Sequence, residues 1–313
     1  MDQLAQPAQT LPRTQIMKNS SAMSLPDFAI IGAMKSATST LQEQLSGQPG
    51  IFMCTPKEPN FFSDADQYAK GMSWYSSLFA DAPPGSLKGE ASTHYTKLPT
   101  YPEVVQRLKT HLPSARFVYV MRHPVDRLVS HYIHEWSTGV YRCGIEKAID
   151  KYPELIAYGS YAMQLEPYFE AFGRDAVLPV FFDRLLKEPQ AELERICRFI
   201  GYQGQPAWIH DLKPDNVSSE RIRRFPGYSL LVEFGPAVWL RRNLIPQSLR
   251  DAVKARLRMQ KRPDLGEAAR ARLESEFDRD LAKLGKWLGT NLDCKNFKRA
   301  TSADTLNWIK TDA

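Results

Sequence analysis

The stretch DFAIIGAMKSATSTL, residues 27–41, decides the fold class of this chain. Its apolar half, Phe28–Ile31, lies between Pro26 and Gly32 and is typical of a short strand buried in a parallel sheet. Its hydroxyl-rich half predicts a helix over roughly residues 39–45. A tight turn that joins such a strand to a helix directs backbone N–H groups at one point, where they and the helix dipole bind a phosphate.

This turn differs from the Walker A loop, which requires G-x-x-x-x-G-K-[ST]. Counted from Gly32, the second Walker glycine falls on Ala37 and the Walker lysine on Thr38. A lysine, Lys35, instead comes early in the turn, and hydroxyl residues follow it: Ser36, Thr38, Ser39 and Thr40. The pattern predicts a phosphate loop that does not hold a triphosphate in the Walker manner. The alternative is a Ser/Thr-rich helix start beside a solvated lysine.

The same order of strand and helix recurs along the chain. Strands are predicted over Leu87–Ala91, Arg116–Met121 and about Val177–Phe182. One helix is predicted to begin at Pro124 and another to run over about Pro189–Ile200, with Gly201 as its stop. Strands that alternate with helices predict an α/β fold, in which a central, mostly parallel sheet is flanked by helices on both faces.

The C-terminal part is predicted to be helical. Its apolar residues recur at the spacing of one helical face: Leu273, Phe277, Leu281, Leu284 and Leu288. We predict a flexible tail over residues 1–25 and a single domain over residues 26–313, whose helical portion begins at about residue 228.

Composition narrows the class of protein. The chain has 313 residues and a formal net charge of +6, which is consistent with an anionic ligand or simply with a slightly basic surface. Its four cysteines are far apart and unpaired in sequence, so reduced thiols in a cytoplasmic protein are expected. No apolar run approaches the roughly 18 residues of a membrane span, so no stable membrane insertion is expected.

Two further stretches carry candidate functional residues. In RHPVDRLVSHY, Arg122 stands at a strand end and Ser130 two helical turns further on, a combination that suits a second phosphate. In TPKEPNFF, Glu58 precedes two aromatic rings and is a candidate general base. The alternatives are a surface arginine with an ordinary helical serine, and an exposed loop glutamate.

Together these segments resemble the sulfotransferases that use 3′-phosphoadenosine 5′-phosphosulfate (PAPS), and most of all the branch of the heparan sulfate N- and 3-O-sulfotransferases and their bacterial relatives. IIGAMKSATSTL resembles the family's 5′-phosphosulfate loop, KEPNFF its K-E-x-x-F-F segment, and GEASTHY its G-E-K-[ST]-P-x-Y segment. VMRHPVDRLVSHY resembles the 3′-phosphate motif, and GSYAMQLEPYFEAFG the G-x-Y segment that follows. The likeness covers roughly residues 27–227.

The resemblance implies a role for each matching residue. Lys35 is expected to contact the 5′-phosphate and the bridging oxygen, and the residues expected to wrap the 5′-phosphate are Ser36, Ala37, Thr38, Ser39 and Thr40. Arg122 and Ser130 are expected to hold the 3′-phosphate, and Tyr161 to line the nucleotide site. Arg221 and Arg223 fall where the family has a basic loop over the nucleotide, and Glu58 where it has the base.

The sequence departs from the family pattern in its G-E-K segment. Ala91 stands where the heparan enzymes have a lysine near the acceptor and the transferred group, and Thr93 stands where they have a proline. His94 lies beside these positions and is a rival of Glu58, because cytosolic sulfotransferases use a histidine base.

These observations favour one function over two others. The leading hypothesis is transfer of a sulfuryl group from PAPS, without a metal, to a hydroxyl or amine of an unidentified carbohydrate, lipid or small-molecule acceptor. A small-molecule kinase is the first alternative, and a nucleotide- or polyanion-binding protein without catalysis is the second. No nucleic-acid partner is predicted, and the sequence does not predict the oligomeric state.

Overall fold

The computed structural model describes residues 23–212 and 262–310. Its strands are β1 (Phe28–Gly32), β2 (Ile51–Met53), β3 (Leu87–Ala91), β4 (Arg116–Met121) and β5 (Val177–Phe181). They form one parallel sheet in the order β2-β3-β1-β4-β5, so that β1 lies at the centre. This confirms the predicted α/β fold with a parallel central sheet.

The helices that precede β5 are α1 (Thr38–Ser46), α2 (Ala65–Tyr68), α3 (Gly71–Ser77), α4 (Val104–His111), α5 (Pro124–Thr138), α6 (Ile145–Lys151), α7 (Glu154–Ala157) and α8 (Tyr161–Phe172). Those that follow it are α9 (Phe182–Lys187), α10 (Pro189–Ile200), α11 (Glu267–Leu288) and α12 (Phe297–Ala303). Two short 3₁₀ helices span Thr93–Thr96 and Arg174–Ala176.

Both faces of the sheet are covered, as predicted. Along β1, Phe28 and Ile30 pack into one core with residues of α1 and α10, whereas Ala29 and Ile31 pack into the other with residues of α5, α8 and α11. Successive side chains of a strand point to opposite faces, so a strand that is buried on both sides needs an unbroken apolar run. This explains why β1 lacks the alternation of polar and apolar residues that marks a half-exposed strand.

The predicted element boundaries agree closely with the structure. The strands Leu87–Ala91 and Arg116–Met121 and the helix Pro189–Ile200 are found as predicted. The last strand ends at Phe181, one residue early, because Phe182 already begins α9. Gly201 ends α10 in the left-handed conformation, with φ 88°, which glycine adopts without a steric cost.

Some sequence predictions lie outside the described residues. Residues 1–22 and 213–261 are among those that the structure does not describe, so Arg221, Arg223 and most of the predicted tail stay untested. Ser24, near the end of that tail, donates its hydroxyl to the carbonyl of Phe79 at 3.2 Å. Within residues 23–212 and 262–310, no helix is both long and apolar enough to cross a membrane.

A side chain of the long C-terminal helix α11 caps the first turn of α8. All five residues of the predicted apolar face of α11 are buried. At the edge of this face, Asp280 accepts hydrogen bonds from the N–H groups of Ala162 at 2.9 Å and Met163 at 3.0 Å. Ser160, the residue at the start of α8, makes no side-chain cap of its own, so Asp280 satisfies first-turn N–H groups that would otherwise lack a partner.

We therefore expect Asp280→Ala to lower the free energy of unfolding by about 1–2 kcal/mol, the usual cost of removing such a cap. Urea denaturation measures the change. Glu276→Ala is the matched control, because Glu276 is an exposed carboxylate on the same helix. Equal losses in the two variants would contradict the capping role.

Candidate active site

A cleft with a volume of about 730 Å³ opens at the edge of the sheet where β1 and β4 end. This edge, at the carboxyl ends of parallel strands, is where open α/β sheets bind ligands. The cleft brings together these sequence-predicted site residues: Lys35, Ala37, Thr38, Ser39, Thr40, Glu58, His94, Arg122 and Ser130.

The turn over residues 33–40, here called the phosphate loop, has the backbone of an anion site. Lys35 and Ala37 both have left-handed conformations, with φ 70° and 66°, and α1 begins directly after them at Thr38. Changes of handedness along a turn gather backbone N–H groups into a concavity that binds anions, and the first turn of a helix adds further free N–H groups. Ala37, which stands where the Walker A loop has its second glycine, thus adopts a conformation that usually requires glycine.

Two cationic side chains reach the phosphate loop from other elements. The ammonium group of Lys57 contacts the hydroxyl of Ser39. The guanidinium of Arg122 donates to the carbonyl of Lys35 at 3.4 Å. Lys57 was not predicted as a site residue, although it is the lysine of the KEPNFF segment that resembles the family's K-E-x-x-F-F segment.

Arg122 is held in place through its backbone. The hydroxyl of Tyr161 donates to the carbonyl of Arg122 at 2.5 Å and accepts from its N–H at 3.2 Å. The guanidinium lies 4.6 Å from the ring centre of Phe182, and burial lowers the pKa of Arg122 without removing its charge. The side chain is therefore presented to the cleft by β4 and supported from beneath by α8.

Tyr161 is not among the residues that line the cleft, and its predicted contact with the nucleotide stays a prediction. The side chain is fully buried, and its hydroxyl is occupied by the backbone of Arg122. Tyr161 is the first residue of α8. Tyr161 is a positioning residue for Arg122.

Ser36 is a buried residue of the phosphate loop, and its predicted contact with the 5′-phosphate stays a prediction. It is 0% exposed, and its hydroxyl has no hydrogen-bond partner among the described residues. Its N–H is used within the turn, where it donates to the carbonyl of Ala33 at 3.2 Å. The turn points Ser36 inward because the residues on either side of it take the left-handed conformation.

Glu58 projects into the cleft from the loop after β2. Its N–H donates to the carbonyl of Ala91 at 3.1 Å, and its carboxylate accepts from the hydroxyl of Thr93, also at 3.1 Å. Phe61 and Phe62, which follow it, are fully buried, and the ring centre of Phe61 lies 4.6 Å from that of Tyr75. The aromatic rings thus anchor the loop in the core, and the carboxylate stays at the cleft surface.

His94 lines the same cleft but is a weak base. Its ring stacks on Tyr101 with 4.8 Å between ring centres. Burial and the nearby charge of Lys97 lower the pKa of His94 to about 4, so the imidazole is neutral at pH 7. A histidine in this state takes up a proton far less readily than an exposed one.

Among the residues that the structure describes, the acidic and histidine side chains near the cleft are not arranged as a metal site. His131 and His134 share one carboxylate, Glu135, at 3.7 and 3.8 Å. Across residues 23–212 and 262–310, no three His, Cys, Asp or Glu side chains are grouped as metal ligands.

The left-handed conformation of Ala37 leads to a stability prediction. Alanine pays roughly 1–2 kcal/mol in this conformation, whereas glycine does not. Because glycine also gains freedom in the unfolded chain, we expect Ala37→Gly to leave the free energy of unfolding unchanged or to raise it by about 1 kcal/mol. Ala271→Gly, at an exposed position inside α11, is expected to lower it by about 1 kcal/mol in the same urea titration. A similar loss in both variants would contradict the strained conformation of Ala37.

Several curated proteins resemble this chain. The mouse heparan sulfate glucosamine 3-O-sulfotransferase 3B1 is 30% identical over 202 residues, which cover 61% of this chain and 50% of that protein. The mouse 3-O-sulfotransferase 3A1 is 31% identical over 189 residues, which cover 56% and 46%. The chain therefore spans about half the length of the curated relatives it matches.

The fold and the motifs agree with these relatives. A crystal structure of a sulfotransferase from Alicyclobacillus acidocaldarius has the same fold, with a TM-score of 0.59 over 86% of this chain and 97% of that one, at 24% identity. The sulfotransferase domain model matches residues 25–225, which include the phosphate loop, Glu58, Arg122 and Tyr161. With that match covering more than half of its length, the chain belongs to the sulfotransferase domain family.

Proposed function

We propose that this protein transfers a sulfuryl group from PAPS to a hydroxyl or amine of an acceptor. One observation carries the proposal: a single cleft is lined by the phosphate loop, by a second cation with a hydroxyl, Arg122 and Ser130, and by a carboxylate, Glu58. Membership of the sulfotransferase domain family supports the same activity.

The cleft offers separate donors for the two anionic ends of PAPS. The phosphate loop, with Lys35 and the ammonium of Lys57 beside it, suits the 5′-phosphosulfate. Arg122 suits the 3′-phosphate because its planar guanidinium forms paired hydrogen bonds with phosphate oxygens. Ser130 lines the cleft from α5 and adds a hydroxyl.

Each residue then has a defined task in the transfer. The sulfuryl group comes from PAPS, and adenosine 3′,5′-bisphosphate leaves with the electron pair of the broken bond between sulfur and oxygen. Glu58 accepts the proton from the attacking hydroxyl or amine, and the hydroxyl of Thr93 keeps its carboxylate aimed into the cleft. Lys35 stabilises charge on the departing oxygen, a form of electrostatic preorganisation that needs no movement during the reaction.

A kinase is not favoured by this site. The phosphate loop lacks the Walker lysine, since Thr38 stands in its place, and its own lysine lies three residues earlier. A triphosphate site also relies on a magnesium ion bound by a carboxylate and a hydroxyl. Because PAPS has no triphosphate, we propose a reaction that is independent of added metal.

The direct test incubates the protein with ³⁵S-labelled PAPS and a panel of acceptors that contains heparan-type oligosaccharides, lipids and phenols. Transfer of label that persists in EDTA is the expected result. Tight binding of adenosine 3′,5′-bisphosphate without any transfer would favour a non-catalytic protein. Transfer from ATP that requires Mg²⁺ would favour a kinase.

Glu58→Gln keeps the shape of the side chain and removes the proton acceptor. We expect kcat to fall by about 10²–10⁴, the usual contribution of a general base, while the affinity for adenosine 3′,5′-bisphosphate changes little. His94→Asn is the control and should cost much less. Loss of turnover in the histidine variant alone would assign the base to His94.

Arg122→Ala should weaken binding of adenosine 3′,5′-bisphosphate by about 1.5–3 kcal/mol, the range for hydrogen bonds to a charged group. Binding of 5′-AMP, which has no 3′-phosphate, should change much less. Calorimetry measures both ligands, with Arg142→Ala as the control because Arg142 is exposed. Equal losses for the two nucleotides would show that Arg122 does not hold the 3′-phosphate.

A further inference from the structure

Lys97 is a nearly buried cation in the wall of the cleft. It follows the 3₁₀ helix Thr93–Thr96 directly and is only 8% exposed. Lysine is almost never buried to this extent unless its charge has partners. Burial lowers the pKa of Lys97 to about 8, so the ammonium form still predominates at pH 7.

The partners of Lys97 come from two sides. The carboxylates of Glu58 and Glu135 attract it, whereas Arg127 opposes its charge. Its ammonium lies 5.6 Å from the ring centre of Tyr158. The other titratable groups that sense its charge are His94 and His131, whose pKa values it helps to lower.

The backbone around Lys97 is firmly held. The side chain of the buried Gln164 accepts from the N–H of Leu98 at 2.8 Å and donates to the carbonyl of the same residue at 3.0 Å. The carbonyl of Lys97 accepts from the N–H of Tyr101 at 3.2 Å. These bonds fix the main chain at and just after Lys97, and the burial of the side chain restricts where its ammonium can lie, which is what a preorganised site requires.

Lys97 interacts with a different part of the cleft from the contacts known for Arg122 and Lys57. Arg122 and Lys57 have recorded contacts with the phosphate loop, at Lys35 and Ser39. Lys97 instead interacts with Glu58, the carboxylate to which the acceptor's proton is assigned. Lys97, Glu58 and the phosphate loop line one cleft, so a group that is transferred to an acceptor held at Glu58 moves within the space that Lys97 also lines.

Resting on the function proposed above, we propose that Lys97 is a catalytic residue whose ammonium binds an oxygen of the sulfuryl group in bound PAPS and keeps that contact during transfer. The bond from sulfur to the acceptor's oxygen or nitrogen forms as the bond from sulfur to the bridging oxygen breaks. The electron pair of the broken bond leaves with the bridging oxygen, and the acceptor's proton goes to Glu58. Lys97 keeps its own proton throughout, so it acts as a fixed charge.

If Lys97 binds the sulfuryl group, loss of its charge should weaken the binding of PAPS more than that of adenosine 3′,5′-bisphosphate, because the two nucleotides differ only in that group. Lys97→Met, measured by calorimetry without an acceptor, should weaken PAPS binding tenfold or more and change the affinity for adenosine 3′,5′-bisphosphate by less than about twofold. Lys97→Arg, which keeps the charge, should stay within about fivefold of the wild type for both. Lys147→Met, at an exposed lysine of α6, serves as the control.

The wild-type protein provides a second measurement that does not depend on how the variants fold. Its preference for PAPS over the bisphosphate should shrink as the pH rises from 7 to 9.5, because Lys97 loses its proton in that interval. Lys97→Arg should not show this decline.

Three results would overturn the proposal. They are equal weakening of both nucleotides in Lys97→Met, equally poor PAPS binding in the Met and Arg variants, and a wild-type preference that does not change with pH. Failure of the wild type to bind either nucleotide would instead refute the proposed function, so the two failures are distinct.

Discussion

The backbone of the turn between β1 and α1 is the constraint on which the rest of the site depends. Two left-handed residues, Lys35 and Ala37, have to be kept in place for the N–H groups of the phosphate loop to converge. The turn is tied to β4 by the N–H of Ala33, which donates to Val120 at 2.8 Å. From below, the hydroxyl of Thr96 donates to the carbonyl of Ile31 at 2.6 Å and packs so closely that a Cβ at Gly32 would lie 2.1 Å from it. Only glycine fits there, so the 3₁₀ helix that carries His94 and leads to Lys97 also supports the phosphate loop.

The second anion site is supported from farther away. Arg122 comes from the end of β4, but its backbone is bracketed by Tyr161 of α8. The first turn of α8 is in turn capped by Asp280 of α11. A C-terminal helix that does not line the cleft thus helps to place the guanidinium in it. Substitutions of Tyr161 or Asp280 are expected to change the affinity for the nucleotide by displacing Arg122, because neither supporting side chain lines the cleft.

Much of this arrangement was predictable from sequence, for identifiable reasons. An unbroken apolar run before a hydroxyl-rich turn predicts both β1 and the phosphate loop, since each is a local property of the chain. The burial of the Ser36 side chain was not predictable, because the handedness of the turn decides which residues face the cleft. The supporting role of Tyr161 and the place of Lys97 in the cleft depend on contacts between segments far apart in sequence. Glu58 was found through the motif around it, yet its orienting hydroxyl, on Thr93, lies 35 residues away.

The central claim is that the cleft is built for an adenosine nucleotide with a 3′-phosphate and without a metal. Calorimetric titration of the wild-type chain with adenosine 3′,5′-bisphosphate and with ATP, each in EDTA and in Mg²⁺, tests it most directly. We predict one bisphosphate bound per chain with the same affinity in both buffers. ATP, which lacks the 3′-phosphate and its charged hydrogen bonds, should bind about tenfold or more weakly. Tighter binding of ATP than of the bisphosphate, seen only with Mg²⁺, would contradict the account.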